Sequence, residues 1–195
     1  MVMKFGYWKP RALGEPIKML LEYLEEPYEW KYYEPDNIAE WFEQDKYNLG
    51  IHFPNLPWMI DGDVKIAQSM AILKYIGRKH GMFGGATNEE ITQQETLLET
   101  ANDLKVKMMA LVYSEGDFET KKKVFVENMK KNLYFYEKYF STHKWLLGDK
   151  LFVGDFLYGQ EWMGSCVWSR LFWLTFRTSL ATRRSSRASR RLKNT

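Results

Sequence analysis

The chain has little cysteine and histidine, and it lacks a long apolar run. Cys166 is the only cysteine among the 195 residues, which excludes an internal disulfide and a metal site built from cysteines. The histidines His52, His80 and His143 do not show the spacing of metal ligands. No run of about eighteen apolar residues predicts a membrane span, and the first residues lack the apolar stretch of a signal peptide. We therefore expect a cytoplasmic protein without a bound metal.

The composition predicts a folded body followed by a basic tail. Apolar residues make up 45% of the chain and aromatic residues 16%, enough for a substantial core in one large or two small domains. The net charge of +3 hides an asymmetry, because residues 162–195 contain eight Lys or Arg and no Asp or Glu. The first 161 residues therefore carry 20 basic and 25 acidic side chains, a net charge of −5. Such a break is typical of a tail that differs from the body.

Strand and helix signals alternate in the first half of the chain. We predict strands over 3–8 and 28–34, the second from its aromatic residues. A helix between them begins near Pro16 and ends near Pro27. Its apolar residues recur at helical spacing: Ile17, Leu20, Leu21 and Leu24.

A β-hairpin and a second helix complete the predicted α/β domain. The runs PWMID and VKIAQ flank Gly62-Asp63, which is typical of a tight turn. Ser69 is placed to cap a helix from Met70 to Lys79, which Gly81 ends. The order strand, helix, strand, hairpin, helix predicts a domain of about eighty residues.

The middle of the chain predicts an all-α domain. We interpret residues 84–90 as a linker into a long helix that Gly116 ends. Two apolar stripes at helical spacing then predict an antiparallel helix pair. The first stripe is Leu97, Ala101, Leu104, Met108 and Leu111, and the second is Phe125, Met129, Leu133, Tyr136 and Phe140. From about Gly159 the helical period fades, and the Ser/Arg-rich end is predicted to be poorly ordered.

Three separated segments carry a family resemblance: GYWKPRALGEPIKMLLEYL, LGIHFPNLPWMIDGDVKIAQSMAILKYIGRKH and VYSEGDFETKK. In this order they resemble the mu class of cytosolic glutathione S-transferases, and EPDNIAEWF and IDGDVK are most similar to its flatworm members. The resemblance runs from about residue 3 to Tyr158. It implies a homodimer that conjugates glutathione to hydrophobic electrophiles, with glutathione as co-substrate and no other cofactor. It also implies a thioredoxin-like domain over 1–83 and an incomplete helical domain over 84–160, with 161–195 as an atypical tail.

By this resemblance Tyr7 is the catalytic residue. A free thiol is only a few per cent thiolate at neutral pH, and a phenol that donates to the thiolate favours the charged form. Lowering the thiol pKa by about two units requires roughly 2.7 kcal/mol, within the ~1.5–3 kcal/mol of a hydrogen bond to a charged group. One tyrosine therefore suffices for most of the activation. Without the family context, a tyrosine at a strand end is ordinarily a packing residue.

The resemblance also implies where the γ-glutamyl and cysteinyl parts of glutathione bind. It makes the Leu56-Pro57 peptide bond cis, so that the Leu56 backbone pairs with the cysteinyl unit like an added strand. Gln68 and Ser69 would hold the γ-glutamyl carboxylate, because free N–H groups at a helix start favour an anion. The alternative for Ser69 is a simple helix cap.

Other expected glutathione contacts come from Trp8, Trp41, Lys46 and Asn55. The stretch between Trp41 and Lys46 is one residue longer than the family pattern, so Trp41 has an alternative as a surface aromatic packed on a loop. Asp103 of the partner subunit is expected to reach the γ-glutamyl amine.

The resemblance assigns two further surfaces. Phe53 matches the aromatic side chain that inserts into the partner subunit. Leu13, Met108 and Tyr113 match positions that line the electrophile pocket. Met108 has core packing as its alternative.

Three residues depart from the family pattern. Ala12 replaces a usual Gly, which is costly if the backbone there has positive φ, and Lys18 replaces a usual Arg. Phe152 replaces the Ser or Thr that pairs with Asp155 in a capping box, a loss of about 0.5–2 kcal/mol. The tail after Tyr158 has no counterpart in the pattern and is typical of a frame shift or an alternative exon.

Two other functions remain open from the sequence. A non-catalytic, ligand-binding or defective relative is favoured by the incomplete helical domain. Salt-dependent binding of the basic tail to nucleic acid or anionic membranes follows from its charge, although no specific nucleic-acid recognition fold is predicted.

Overall fold

The computed structural model describes residues 2–10, 12–85 and 87–162. Its first part is a four-stranded sheet with helices. In chain order the elements are β1 (Met3–Trp8), α1 (Glu15–Leu24), β2 (Tyr28–Tyr33), a π-helix π1 (Glu40–Asp45), α2 (Lys46–Asn48), β3 (Trp58–Asp61), β4 (Val64–Ala67) and α3 (Ser69–Lys79). The strand order is β2-β1-β3-β4, with β1 and β2 parallel and the other pairs antiparallel. The predicted α/β domain is confirmed.

The second part is helical, with α4 (Asn88–Val112), α5 (Phe118–Phe140) and α6 (Val153–Trp162). Helix α4 begins earlier than predicted, because a capping box starts it inside the expected linker. Glu90 N–H donates to Thr87 Oγ1 and Thr87 N–H donates to Glu90 Oε2, both at 3.2 Å. The helix also ends before Gly116, at Val112. The expectation of an α/β part followed by an all-α part is confirmed, and the tail over 163–195 lies outside the described residues.

One core joins the two parts, and α6 lies at its centre. Val153 and Phe156 are fully buried, and α6 packs on α1, α3 and α4. Gly77 on α3 permits this approach, because a Cβ there would lie 2.5 Å from Val153 Cγ1. The first part therefore carries its sheet on one side and the helical part on the other side of the same apolar core.

The start of α6 keeps only half of the expected capping box. Asp155 accepts the backbone N–H groups of Phe152 and Leu146, both at 2.9 Å, and burial raises the pKa of this carboxyl to about 7. Phe152 has no hydroxyl to return the bond. Its ring is 1% exposed and stacks on Phe83 at 6.1 Å between centroids. The departure therefore exchanges a cap for core packing.

The other departures cause no visible strain. Among the described residues the only non-glycine positions with positive φ are Glu25 and Gln68. Ala12 therefore does not carry the strain that alanine has at positive φ. Lys18 Nζ donates to the Tyr32 hydroxyl at 2.5 Å and lies 5.4 Å from the Trp30 ring centroid. Within the described residues no helix is long and apolar enough to cross a membrane.

Candidate functional site

The sheet register brings three predicted segments to one edge. Gly6 pairs with Trp58 in the antiparallel β1–β3 ladder, and Trp58 pairs with Ala67 in the β3–β4 ladder. Continuing the β1–β3 register by one residue places Tyr7 beside Pro57, and β4 ends at Ala67, opposite Trp58 and directly before α3. The Leu56-Pro57 peptide bond is cis, as the resemblance implied. The end of β1, the Leu56 backbone and the start of α3 therefore share one edge.

Tyr7 lies at this edge, and its hydroxyl oxygen is fixed by a backbone hydrogen bond. Its side chain is 6% exposed, and its oxygen accepts the Leu13 backbone N–H at 3.2 Å. This bond uses a lone pair and leaves the phenolic proton to donate, and no hydrogen bond among the described residues takes it up. Burial raises the pKa of Tyr7, while the Leu13 bond opposes the shift and nearby Tyr113 adds to it. Tyr7 is therefore a neutral donor at physiological pH.

The start of α3 differs from the predicted cap. The helix begins at Ser69, one residue earlier than expected, and Gln68 occupies the N-cap position. No side chain of the described residues caps the helix, so the prediction that Ser69 caps it is wrong. Gln68 has φ 77° and ψ 114°, which turns the chain from β4 into α3 at a cost in strain. The first N–H groups of α3 and the Ser69 hydroxyl thus remain available at the edge.

Trp41 and Lys46 are related by the π-helix. The backbone N–H of Lys46 donates to the carbonyl of Trp41, five residues earlier, which is the bond of a π-helix. This wider turn accommodates the extra residue that the sequence shows between them. Trp41 is 4% exposed and packs on Tyr33 at 5.5 Å, so the alternative of a surface aromatic is wrong. Lys46 makes no ion pair within the described residues, and its Nζ lies 6.0 Å from the Phe42 ring.

Tyr7, Trp41 and Leu56 share one apolar cluster. Its other buried members are Tyr33 and Trp58, and Trp8, Ala12 and Leu13 are among the residues that pack against it. The Asn55 side chain bonds the backbone of the next residue, because its Oδ1 accepts the Leu56 N–H at 2.9 Å. Glutathione would have to displace this bond to use the Leu56 N–H.

The residues predicted for the second pocket lie in different environments. Leu13 is half-buried next to Tyr7, whereas Tyr113 at the end of α4 is 73% exposed. Met108 lies on α4, and its side chain is outside the described part of the structure. A cleft of about 200 Å³ opens beside Tyr7 and Trp8, with further walls from Lys9, Pro10, Gly14, Glu15, Lys18, Trp30 and Tyr32.

Asp103 and Phe53 are both exposed in the single chain. Asp103 is exposed on α4, and Phe53 is 86% exposed. An apolar ring with so little cover has a large apolar surface to bury.

Comparisons with known proteins agree with this geometry. Residues 3–78 match the model of the glutathione S-transferase N-terminal domain. Glutathione S-transferase Mu 6 of Mus musculus is 40% identical over 161 residues, covering 80% of this chain and 73% of the relative. The class-mu 26 kDa isozyme of Schistosoma mansoni is 41% identical over 158 residues, covering 80% and 79%.

This chain belongs to the mu-class glutathione S-transferases. Among solved structures, the glutathione S-transferase Blo t 8 superposes with a TM-score of 0.75 at 33% identity, covering 92% of this transferase and 86% of that chain. The mouse and flatworm relatives are equally similar to this transferase, at 40% and 41%.

Sequence reasoning missed two features of this transferase. The Leu13 N–H that holds the Tyr7 oxygen is a backbone group, which no side-chain motif reveals. The network of Tyr33 and Asp45 beneath the π-helix was also missed, because its members are far apart in sequence and each resembles an ordinary surface or packing residue.

Proposed function

We propose that the protein is a cytoplasmic, homodimeric transferase that conjugates the glutathione thiolate to hydrophobic electrophiles. The Tyr7 phenol carries this proposal. It accepts the Leu13 N–H and retains its own proton at the edge beside Leu56 and Ser69. Its raised pKa keeps it a hydrogen-bond donor, as a residue that stabilises a thiolate must be.

The proposed binding mode distributes glutathione along this edge. The γ-glutamyl carboxylate lies on Ser69, Gln68 and the free N–H groups of α3, with its amine near Asp103 of the partner subunit. The cysteinyl unit pairs with the Leu56 backbone. The glycyl carboxylate lies near Lys46, with Trp8, Trp41 and Asn55 beside it. The α3 start and Lys46 offer the donors and the charge that the two carboxylates require, whereas the Leu56 N–H becomes available once the Asn55 side chain releases it.

The proposed chemistry uses the two substrates and the side chains of the protein, with no cofactor. The glutathione thiol loses its proton to water, and Tyr7 donates a hydrogen bond to the resulting thiolate. A lone pair of the thiolate sulfur then attacks the electrophilic carbon held near Leu13, Met108 and Tyr113. With a chloronitroaromatic, the new carbon–sulfur bond replaces the carbon–chlorine bond and chloride leaves with the bonding pair. In this proposal the Tyr113 hydroxyl donates to the negative charge that develops on the electrophile.

Substitution of Tyr7 by Phe tests the proposal. Removing a donor that supplies roughly 2.7 kcal/mol should lower kcat/KM with a chloronitroaromatic by about 100-fold. The thiol pKa of bound glutathione, followed by thiolate absorbance against pH, should rise by about two units. Tyr75→Phe, at a distant hydroxyl, is the control and should keep wild-type values. Unchanged turnover in Tyr7→Phe, or no turnover by the wild type, would remove the catalytic role.

A further inference from the structure

The π-helix π1 rests on a hydrogen-bonded network that the proposed chemistry does not use. The indole Nε1 of Trp58 donates to the Tyr33 hydroxyl at 3.0 Å, and Tyr33 in turn donates to Asp45 Oδ2 at 2.5 Å. Lys31 Nζ lies 2.7 Å from Asp45 Oδ2 and 2.7 Å from Glu40 Oε2. Strand β2 thereby holds both ends of π1, since Glu40 opens it and Asp45 closes it.

The Tyr33 hydroxyl and the Lys31 ammonium both keep their protons near neutral pH. Burial and the Asp45 carboxylate both raise the pKa of Tyr33, so its hydroxyl remains a donor. The pKa of Lys31 is also raised, because its bonds to Asp45 and Glu40 outweigh the burial that opposes them. Asp45 Oδ2 therefore has a hydroxyl donor and a cation on the same oxygen.

Fixing Asp45 also fixes two residues of the proposed glycyl subsite. Asp45 directly precedes Lys46, whose backbone N–H donates to the Trp41 carbonyl across π1. The Trp41 ring packs on the ring of Tyr33, which makes the central bond of the network. A π-turn is less favourable than an α-turn and persists where its surroundings hold it.

The network also reduces the repulsion between the Asp45 carboxylate and the glycyl carboxylate of glutathione. Asp45 is adjacent in sequence to the residue proposed to meet the glycyl carboxylate, and two carboxylates nearby repel each other. Tyr33 and Lys31 both bind Oδ2 from the sheet side, which neutralises Asp45 and holds it against β2. Without Lys31, the negative charge of Asp45 and Glu40 beside Lys46 would be uncompensated.

We propose that Lys31 and Tyr33 are positioning residues for glutathione: they hold π1 and neutralise Asp45 so that Trp41 and Lys46 present a cationic glycyl subsite. This inference rests on the proposed function. It requires that losing either residue weakens glutathione binding without slowing the chemical step, because neither side chain touches the reacting sulfur.

A matched network in the same domain provides the control. Tyr75 donates to Asp61 Oδ2 at 2.8 Å, and Lys79 Nζ lies 2.7 Å from the same oxygen. Lys79 ends α3 and Ser69 begins it, so this tyrosine–aspartate–lysine set lies at the opposite end of the helix from the proposed site. Removing its members costs the same kind of bonds but leaves the glycyl subsite intact.

The experiment compares Tyr33→Phe and Lys31→Met with Tyr75→Phe and Lys79→Met. Loss of one supporting bond should raise both the KM and the calorimetric Kd of glutathione about fivefold. The kcat and the KM of the chloronitroaromatic should stay within about twofold of wild type. Adding Asp45→Asn to Lys31→Met should restore most of the glutathione affinity, because the uncompensated charge is then removed. The control pair should keep the wild-type KM whatever its effect on melting temperature.

Four results would overturn the inference. Equal KM changes in the Tyr33 and Tyr75 variants would make the network merely structural, as would a Lys31→Met defect that Asp45→Asn leaves uncorrected. A wild-type protein that neither binds nor turns over glutathione would remove the proposed function and this inference with it. A wild type that is active while all four variants share its KM would remove the inference alone.

Discussion

At the residue scale, the site depends on hydrogen-bonding groups that the fold leaves unused. The Tyr7 proton and the Ser69 hydroxyl both lie on residues that are 6% exposed, and neither takes part in a hydrogen bond among the described residues. Both groups lie at the edge where the proposed substrate binds, so each is available to bond the ligand.

Substitution of Ser69 by Ala separates ligand binding from helix capping. A true cap would lose about 1 kcal/mol of stability on this change, but the Ser69 hydroxyl caps nothing in the described structure. We expect the free energy of unfolding to change by less than about 0.5 kcal/mol, while the KM of glutathione rises about tenfold. Chemical denaturation and steady-state kinetics measure the two quantities.

Thr87→Ala is the matched control for this prediction. Thr87 does cap its helix, through Glu90, and it should lose about 1 kcal/mol with no change in KM. A loss of stability in Ser69→Ala equal to that in Thr87→Ala would contradict the prediction.

At the element scale, the chain was most predictable where periodicity is strong. The helix from Pro16, the hairpin at Gly62-Asp63 and the order of α/β and all-α parts follow from side-chain spacing, and the structure confirms them. The π-helix was not predictable, because its pattern between Trp41 and Lys46 shows only an extra residue and no period of its own. Helix ends were also misplaced at Ser69 and Asn88, where one or two polar residues decide the boundary.

The start of α6 shows packing outweighing a cap. Phe152→Ser would complete the capping box with Asp155, worth about 1 kcal/mol, but it would remove a ring that is fully packed against Phe83. Large-to-small changes of this kind cost about 3–5 kcal/mol. We therefore expect Phe152→Ser to lower the free energy of unfolding by about 2–4 kcal/mol, measured by urea denaturation.

Comparison with Phe152→Ala isolates the cap itself. Both variants lose the ring, but only serine can accept the Asp155 N–H, so the serine variant should be about 1 kcal/mol more stable. A serine variant more stable than the wild type would mean that Phe152 packs less tightly than the structure indicates.

At the scale of the whole molecule, the two parts of the chain form one unit. Helix α6 packs against α1, α3 and α4, and Val153 N–H also bonds the Met82 carbonyl at 3.4 Å. A core shared in this way favours cooperative unfolding of both parts in a single transition. The sequence predicted the order of the parts but not this contact, because the apolar residues of α6 do not form a clear helical stripe.

Phe53 tests the proposed assembly at the same scale. Because Phe53 is 86% exposed in the single chain, Phe53→Ser should leave the stability of the subunit nearly unchanged and shift the protein from dimer to monomer. The KM of glutathione should rise at the same time, because Asp103 of the partner subunit is then lost. Analytical ultracentrifugation and kinetics at equal protein concentration measure both effects.

Tyr47→Ser is the control for the assembly. Tyr47 is 74% exposed and has no proposed contact with the partner, so its substitution should leave the dimer intact. A wild-type protein that sediments as a monomer, or an unchanged dimer in Phe53→Ser, would contradict the assignment.

The bare start of α3 has a consequence for amide hydrogen exchange. Helix α4 carries its own cap in Thr87 and Glu90, whereas no side chain of the described residues caps the first turn of α3. The amide protons of that turn should exchange quickly with deuterium in the free protein and slow down when glutathione is added. The bound substrate would then act as the N-terminal cap of α3.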